Sequence, residues 1–158
     1  MTILEQLDND IRTYPETNVQ LEIVEVEFEG TAVNESETVL FRVKVINNGI
    51  MNLKEVTLLI KGVNGATVAN NGAAAPFEEQ IVTGAIPEVA ADGGSELTTG
   101  SKLKFKAPNL RFNEQPGVQT LVEATLEAWN GDLNRTFNAH TRPLDTVKAT
   151  FAAQVHPQ

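Results

Sequence analysis

The chain has 158 residues, 41% hydrophobic and 21% charged, with no cysteine and a formal net charge of −9. That length fits one domain, or one domain with a modest appendage, and is enough to bury a substantial core. The lack of cysteine excludes disulfides, thiolate metal sites and cysteine nucleophiles. With aromatics at only 6%, the core is expected to be built from Val, Leu, Ile, Ala and Phe.

The charge is segregated. Residues 1–40 carry ten acids against Arg12 alone, whereas residues 41–158 carry eleven acids and eleven bases. A field of that sign repels nucleic-acid phosphates and anionic lipid, so neither is expected as a partner. No stretch is long enough to span a bilayer. The first residues also lack the basic n-region of a signal peptide. A soluble chain of cytoplasmic synthesis is expected, with a virion or other assembled particle as one destination.

In chain order, Thr2-Ile3-Leu4-Glu5 fits a capping box. Leu4, Leu7 and Ile11 then form a narrow apolar stripe at helical spacing, and Pro15 is read as the stop. The spacing predicts a short amphipathic helix over residues 3–13. Its stripe must dock either on the open end of its own domain or on a neighbouring subunit. Val19–Phe28 alternates as a strand, with a phase slip at Ile23-Val24 that predicts a β-bulge or a change of sheet.

Thr38–Gly62 carries the clearest pattern. Val39, Phe41, Val43 and Val45 alternate with Leu40, Arg42, Lys44 and Ile46, and Val56, Leu58 and Ile60 repeat the alternation after Asn47-Asn48-Gly49. Those three residues tolerate positive φ, which predicts a hairpin. Antiparallel pairing of the preceding strand would set Glu25 and Glu27 opposite Lys44 and Arg42.

Residues 62–101 are rich in Gly, Ala, Asn and Thr, with short or edge strands expected at Gly65–Ala69 and Glu79–Gly84. Ser101–Ala107 is a sharper strand with Lys102, Lys104 and Lys106 on its outer face. Val118–Ala128 alternates over a longer run and places Trp129 on the face opposite Ala124 and Ala128. Leu133–Ala139 and Val147–Val155 complete the set. The expected fold is all-β: an immunoglobulin-like antiparallel sandwich of Greek-key type, about seven to nine strands, with a short N-terminal helix. Residues 1–16 are read as an arm and residues 17–158 as one domain.

FRVKVINNG (residues 41–49) followed by VTLLIKG (56–62) resembles the bacterial immunoglobulin-like domains related to cell adhesion, of CARDB type. ADGGSELTTGSKLKFKAP (91–108) is similar to their glycine-containing turn before a strand. TLVEATLEAWNGD (120–132) is similar to their late strand ending in a polar turn. The resemblance covers residues 18–132 and implies a seven-stranded sandwich serving as a spacer, adhesive or assembly module. It implies no catalytic residues.

Catalytic chemistry has little to build on. His140 and His156 are isolated, and no nucleophile elbow, zinc-protease helix, P-loop or dinucleotide fingerprint is present. Glu88, Asp92 and Glu96 share one Gly-rich loop without the EF-hand spacing. Neither an enzyme nor a cofactor or metal is expected.

The interface candidates are Leu4, Leu7 and Ile11 on the arm, Glu25, Glu27 and Glu29 on the acidic side, Lys102, Lys104 and Lys106 on the basic side, and Trp129. The lysines fit either a sheet edge guarded against aggregation or a surface complementary to the acidic segment of another copy. Trp129 fits either the core or its rim, or else an exposed anchor. The function expected is a non-catalytic structural or assembly module with a protein partner or a second copy. A place in a filament, tail, shell or viral particle would suit it. The alternative is an adhesive or carbohydrate-binding domain that uses the 65–96 loops or Trp129.

Overall fold

The computed structural model describes residues 3, 13–27, 32–50, 52–70, 76–83, 86–89, 95–98, 103–108, 117–131 and 144–156. Eleven strands are found among them. The first six are β1 Val19–Glu27, β2 Ala32–Asn34, β3 Thr38–Asn47, β4 Leu53–Gly62, β5 Thr67–Asn70 and β6 Gln80–Val82. The remaining five are β7 Ile86–Val89, β8 Ser95–Thr98, β9 Leu103–Lys106, β10 Val118–Gly131 and β11 Leu144–His156. The count exceeds the seven to nine expected because β2, β7 and β8 are only three or four residues long, too short to show a period of two.

Alternation sorts these strands into two layers. One sheet runs β1-β3-β9-β5, with β8 also on β3; the other runs β2-β11-β10-β4-β6, with β7 also on β4. Pairing is antiparallel except between β2 and β11, which run parallel. Inward residues from both layers form one buried cluster, including Val39, Phe41, Leu58, Ile60, Phe105 and Leu126. Phe41 and Phe105 of the first sheet stack at 5.9 Å between centroids, and Phe105 meets Phe151 of the second at 5.6 Å. Tilted aromatic contacts at those distances add specific attraction to the area they bury. This is a β-sandwich, as the alternation predicted.

The predicted hairpin is corrected. β3 and β4 lie in different sheets and do not pair, so Asn47-Asn48-Gly49 is an arch between layers. Each strand has one apolar face, and facing each other across the core satisfies that pattern as well as lying side by side. The arch also has no positive φ. Among the described residues positive φ is found at Glu25, Ser36, Glu55, Asn64, Gly65 and Gly117. Gly49 is needed for space instead: an added Cβ would run into the hydroxyl end of the Tyr14 ring.

Register shifts set the faces of β1 and β10. Register in the β1–β3 pair shifts between Val24 and Glu27, and Glu25 there has φ 52°. The slip read at Ile23-Val24 is therefore a bulge, one step further along. The pairing is antiparallel as expected, but Glu22 faces Lys44 and Val24 faces Arg42. In β10 the register against β4 shifts between Leu126 and Ala128. That turns Trp129 from the outer face, where uninterrupted alternation placed it, into the core at 1% exposure.

The helix stop is also corrected. Helical conformation is recorded at Ile3 and over residues 13–18, so Pro15 lies within it. Proline forfeits its own N–H bond but leaves the later carbonyls free to accept. The stretch ends at Asn18, whose Nδ2 donates to the Tyr14 carbonyl at 3.0 Å, satisfying an acceptor that the helix end would orphan. β1 begins at the next residue.

Candidate functional site

The surface features that could serve a partner lie at opposite ends of β3. At the arch end, Asn47 is fully buried. Its Oδ1 accepts from the Tyr14 hydroxyl at 2.8 Å and from the Gly49 amide at 3.2 Å, and its Nδ2 donates to the Val89 carbonyl at 3.2 Å. A buried amide is tolerated only when its donors and acceptor are matched in this way. The Asn48 amide adds a bond to the Asn18 carbonyl at 2.7 Å. The root of the N-terminal arm is thereby fastened to the arch and to β7. Beside this clasp, Ile50 is 94% exposed, and Ile3 within the arm is 86% exposed.

The other end of β3 carries positive charge. Leu40 and Thr38 pair with Lys104 and Lys106 of β9, so both lysines stand on the outer face of the first sheet. Phe77 lies over them: Lys104 Nζ is 4.9 Å and Lys106 Nζ 5.9 Å from its ring centroid. Cations at such distances are drawn to the negative face of the ring. The Val68–Glu78 bridge to β5 fixes the segment that carries Phe77. β9 lies between β3 and β5, so these lysines do not guard a sheet edge.

β1 is the edge strand of that sheet. Its acids and its bulge are the features with which natural edges resist strand addition. Glu25 reaches Arg42 of β3 at 3.4 Å, with side chains 56% and 30% exposed. Glu22 stands opposite Lys44. Acids of β1 and bases of β3 are thus neighbours in space, and part of the acidic face is balanced within the sheet.

Solved structures similar to this chain include a CARDB domain from Pyrococcus furiosus in complex with di-metal ions, 15% identical, with 87% of each chain covered and a TM-score of 0.40. A structural-genomics target, also 15% identical, covers 89% of each chain at a TM-score of 0.43. The major pilin subunit of Bacillus cereus is 14% identical over 89% of this chain and 40% of its own, with a TM-score of 0.42. No family model and no curated protein matches the chain. These likenesses concern the course of the backbone, and the CARDB type is the one that the residue pattern resembles.

Lys104 and Lys106 of the predicted interface residues are brought together, with Phe77 added. Glu25 and Glu27 lie on the β1 edge, Glu27 opposite Leu40. Trp129 is buried, as its reading as a core or rim residue expected, so the alternative of an exposed anchor or carbohydrate platform at this residue is withdrawn. Leu4, Leu7, Ile11, Glu29 and Lys102 lie outside the described residues, as do His140 and Asp92. Sequence reasoning missed Phe77 because it belongs to no strand and its lysine partners lie far along the chain.

A groove of about 380 Å³ opens between β1 and β11, lined by Glu16, Val19, Leu21, Glu22, Val147 and Lys148 among others. Among the described residues no group of three His, Cys, Asp or Glu could hold a metal ion. No helix there is long and apolar enough to cross a membrane.

Proposed function

We propose that the chain is a non-catalytic structural module that associates with further copies of itself through its N-terminal arm and through complementary charge. The observation that carries this reading is the clasp at the arch. Tyr14 holds the root of the arm through Asn47, while Ile3 on the arm and Ile50 beside the root stay exposed. Large apolar side chains left in water next to a fixed root are available to a partner, and their burial is worth roughly 1.5–3 kcal/mol each. A place in a filament, tail, shell or viral particle extends this reading by analogy of fold.

Light scattering on the full chain across a wide concentration range tests the proposal, alongside a variant with Leu4, Leu7 and Ile11 all changed to Glu. The expected result is a mass that rises with concentration in the wild type and stays monomeric in the variant. A wild type that is monomeric at every concentration overturns it.

A further inference from the structure

We infer that Asn48 is a site of spontaneous covalent modification. It closes a cyclic imide with Gly49 and is converted to aspartate or isoaspartate, and the isoaspartate form opens the clasp between the arch and the arm root. The site lies in the arch alone and does not depend on self-association.

The chain holds Asn-Gly pairs at residues 48–49, 64–65, 71–72 and 130–131. Glycine is the most permissive residue to follow the asparagine in such a closure, because it has no side chain to screen its amide nitrogen. That nitrogen gives up its proton to hydroxide and attacks Cγ of the asparagine, and Nδ2 leaves as ammonia. Water then opens the ring. Cleaving the bond from the nitrogen to Cγ leaves an aspartate in an ordinary main chain. Cleaving the bond from the nitrogen to the main-chain carbonyl carbon leaves isoaspartate, whose main chain runs through Cβ and Cγ and is one atom longer.

The fold treats these pairs differently. Asn64 is exposed, but its Nδ2 is tied to the Thr120 carbonyl at 2.7 Å. Its φ of 54°, the φ of 90° at Gly65 and the bond from the Ala66 amide to the Val63 carbonyl at 3.1 Å make a type I′ turn that fixes the pair. Asn130 and Gly131 stand opposite Lys54 and Leu53 in the β10–β4 ladder, which holds their backbone extended. The pair at 71–72 lies outside the described residues. Asn48, by contrast, is exposed in the arch, and its carboxamide makes no hydrogen bond among the described residues. Gly49 is bare because the Tyr14 ring fills the place of a Cβ. Its amide is held at 3.2 Å by Asn47 Oδ1, which also accepts from the Tyr14 hydroxyl. The clasp therefore demands the glycine that makes Asn48 reactive.

The product acts back on the clasp. The Asn48 amide donates to the Asn18 carbonyl at 2.7 Å, and the Gly49 amide donates to Asn47 Oδ1. The extra main-chain atom of isoaspartate falls between these two donors. A displacement of about 1.5 Å, one carbon–carbon bond, is enough to break the Gly49 bond and to move Gly49 against the Tyr14 ring.

Timed incubation of the full chain in mildly alkaline buffer, folded and in guanidinium chloride, tests the inference. Peptide mapping by mass spectrometry reads each pair, and labelling by an isoaspartyl methyltransferase identifies isoaspartate. In the folded chain Asn48 is expected to convert within about threefold of its unfolded rate, and Asn64 at least about tenfold below its own, because Asn64 waits for its turn to open. Amide hydrogen exchange at residues 14–18 and 47–50 should quicken in the fraction that carries isoaspartate at position 48. It should stay at the starting rate in N48D, which adds the same charge without lengthening the chain. It should also hold steady through the incubation in N48Q, whose imide would need a six-membered ring and closes far more slowly. Protection of Asn48 in the folded chain equal to that of Asn64 overturns the site. Isoaspartate at position 48 with unchanged exchange overturns its effect on the clasp.

Discussion

The Tyr14 hydroxyl donates to Asn47 Oδ1 at 2.8 Å, and the ring behind it occupies the space that a side chain at Gly49 would need. One aromatic residue thus explains two constraints on the arch. Asn47 must present an oxygen, and position 49 must lack a Cβ. Removing the hydroxyl in Tyr14→Phe costs one hydrogen bond, about 0.5–1.5 kcal/mol, because Asn47 Oδ1 keeps the Gly49 amide. Gly49→Ala forces the ring aside and should cost about 1–3 kcal/mol. In a Tyr14→Ala background the same alanine meets no ring and should cost much less. Urea denaturation of the four proteins closes the cycle, and additive costs would show that the ring does not set the requirement for glycine.

Asn47 itself should be harder to replace. Asn47→Ala strips partners from the Tyr14 hydroxyl, the Gly49 amide and the Val89 carbonyl together. A loss of about 2–4 kcal/mol follows from leaving buried groups unmatched. Asn47→Asp keeps the oxygen for Tyr14 and Gly49 but turns an amide donor into a second acceptor facing the Val89 carbonyl. It should therefore be destabilising as well. Thermal melts of both variants check this, and an aspartate variant as stable as wild type would mean that the bond to Val89 carries no weight.

Glu25 separates an ion pair from a backbone conformation. Its contact with Arg42 is at 3.4 Å between half-exposed side chains, and such pairs contribute about 0–1 kcal/mol. Glu25→Gln should shift stability by less than about 0.5 kcal/mol. Its φ of 52° is left-handed, which costs an L-residue roughly 1–2 kcal/mol. Glu25→Gly relieves that strain against a loss of about 0.5–1 kcal/mol in chain entropy, so a net gain is expected. A glycine variant less stable than the glutamine variant would place the importance of Glu25 in its side chain.

The alternation of β3, β4, β9 and β11 was legible because each strand has one face on the core, and a period of two is what that geometry writes into a sequence. The bulge in β1 was legible for the same reason, since the slip at Ile23-Val24 breaks the period. Which strands pair is not encoded in the period, so the arch at Asn47–Gly49 read as a hairpin. The bulge in β10 has no glycine and no break in composition at Leu126–Ala128, so strict alternation sets Trp129 opposite Ala124 and Ala128, while the reading of it as a core or rim residue holds. The clasp was illegible because it joins Tyr14, Asn47 and Val89 through single side-chain bonds. Phe77 was illegible because an aromatic residue in a loop gives no periodic signal.

Trp129 is the only tryptophan, so it reports its own environment without interference. At 1% exposure its native emission should be blue-shifted and poorly quenched by iodide or acrylamide, moving to the red as urea unfolds the chain. Sugars added to the native protein should leave the emission unchanged, because the indole has no surface for them to stack on. Trp129→Ala should cost about 3–5 kcal/mol, the usual penalty for removing a large buried ring. Ready quenching in the native state would return the side chain to the outer face. It would also mean that the register shift between Leu126 and Ala128 does not turn β10, reopening the carbohydrate platform that burial rules out.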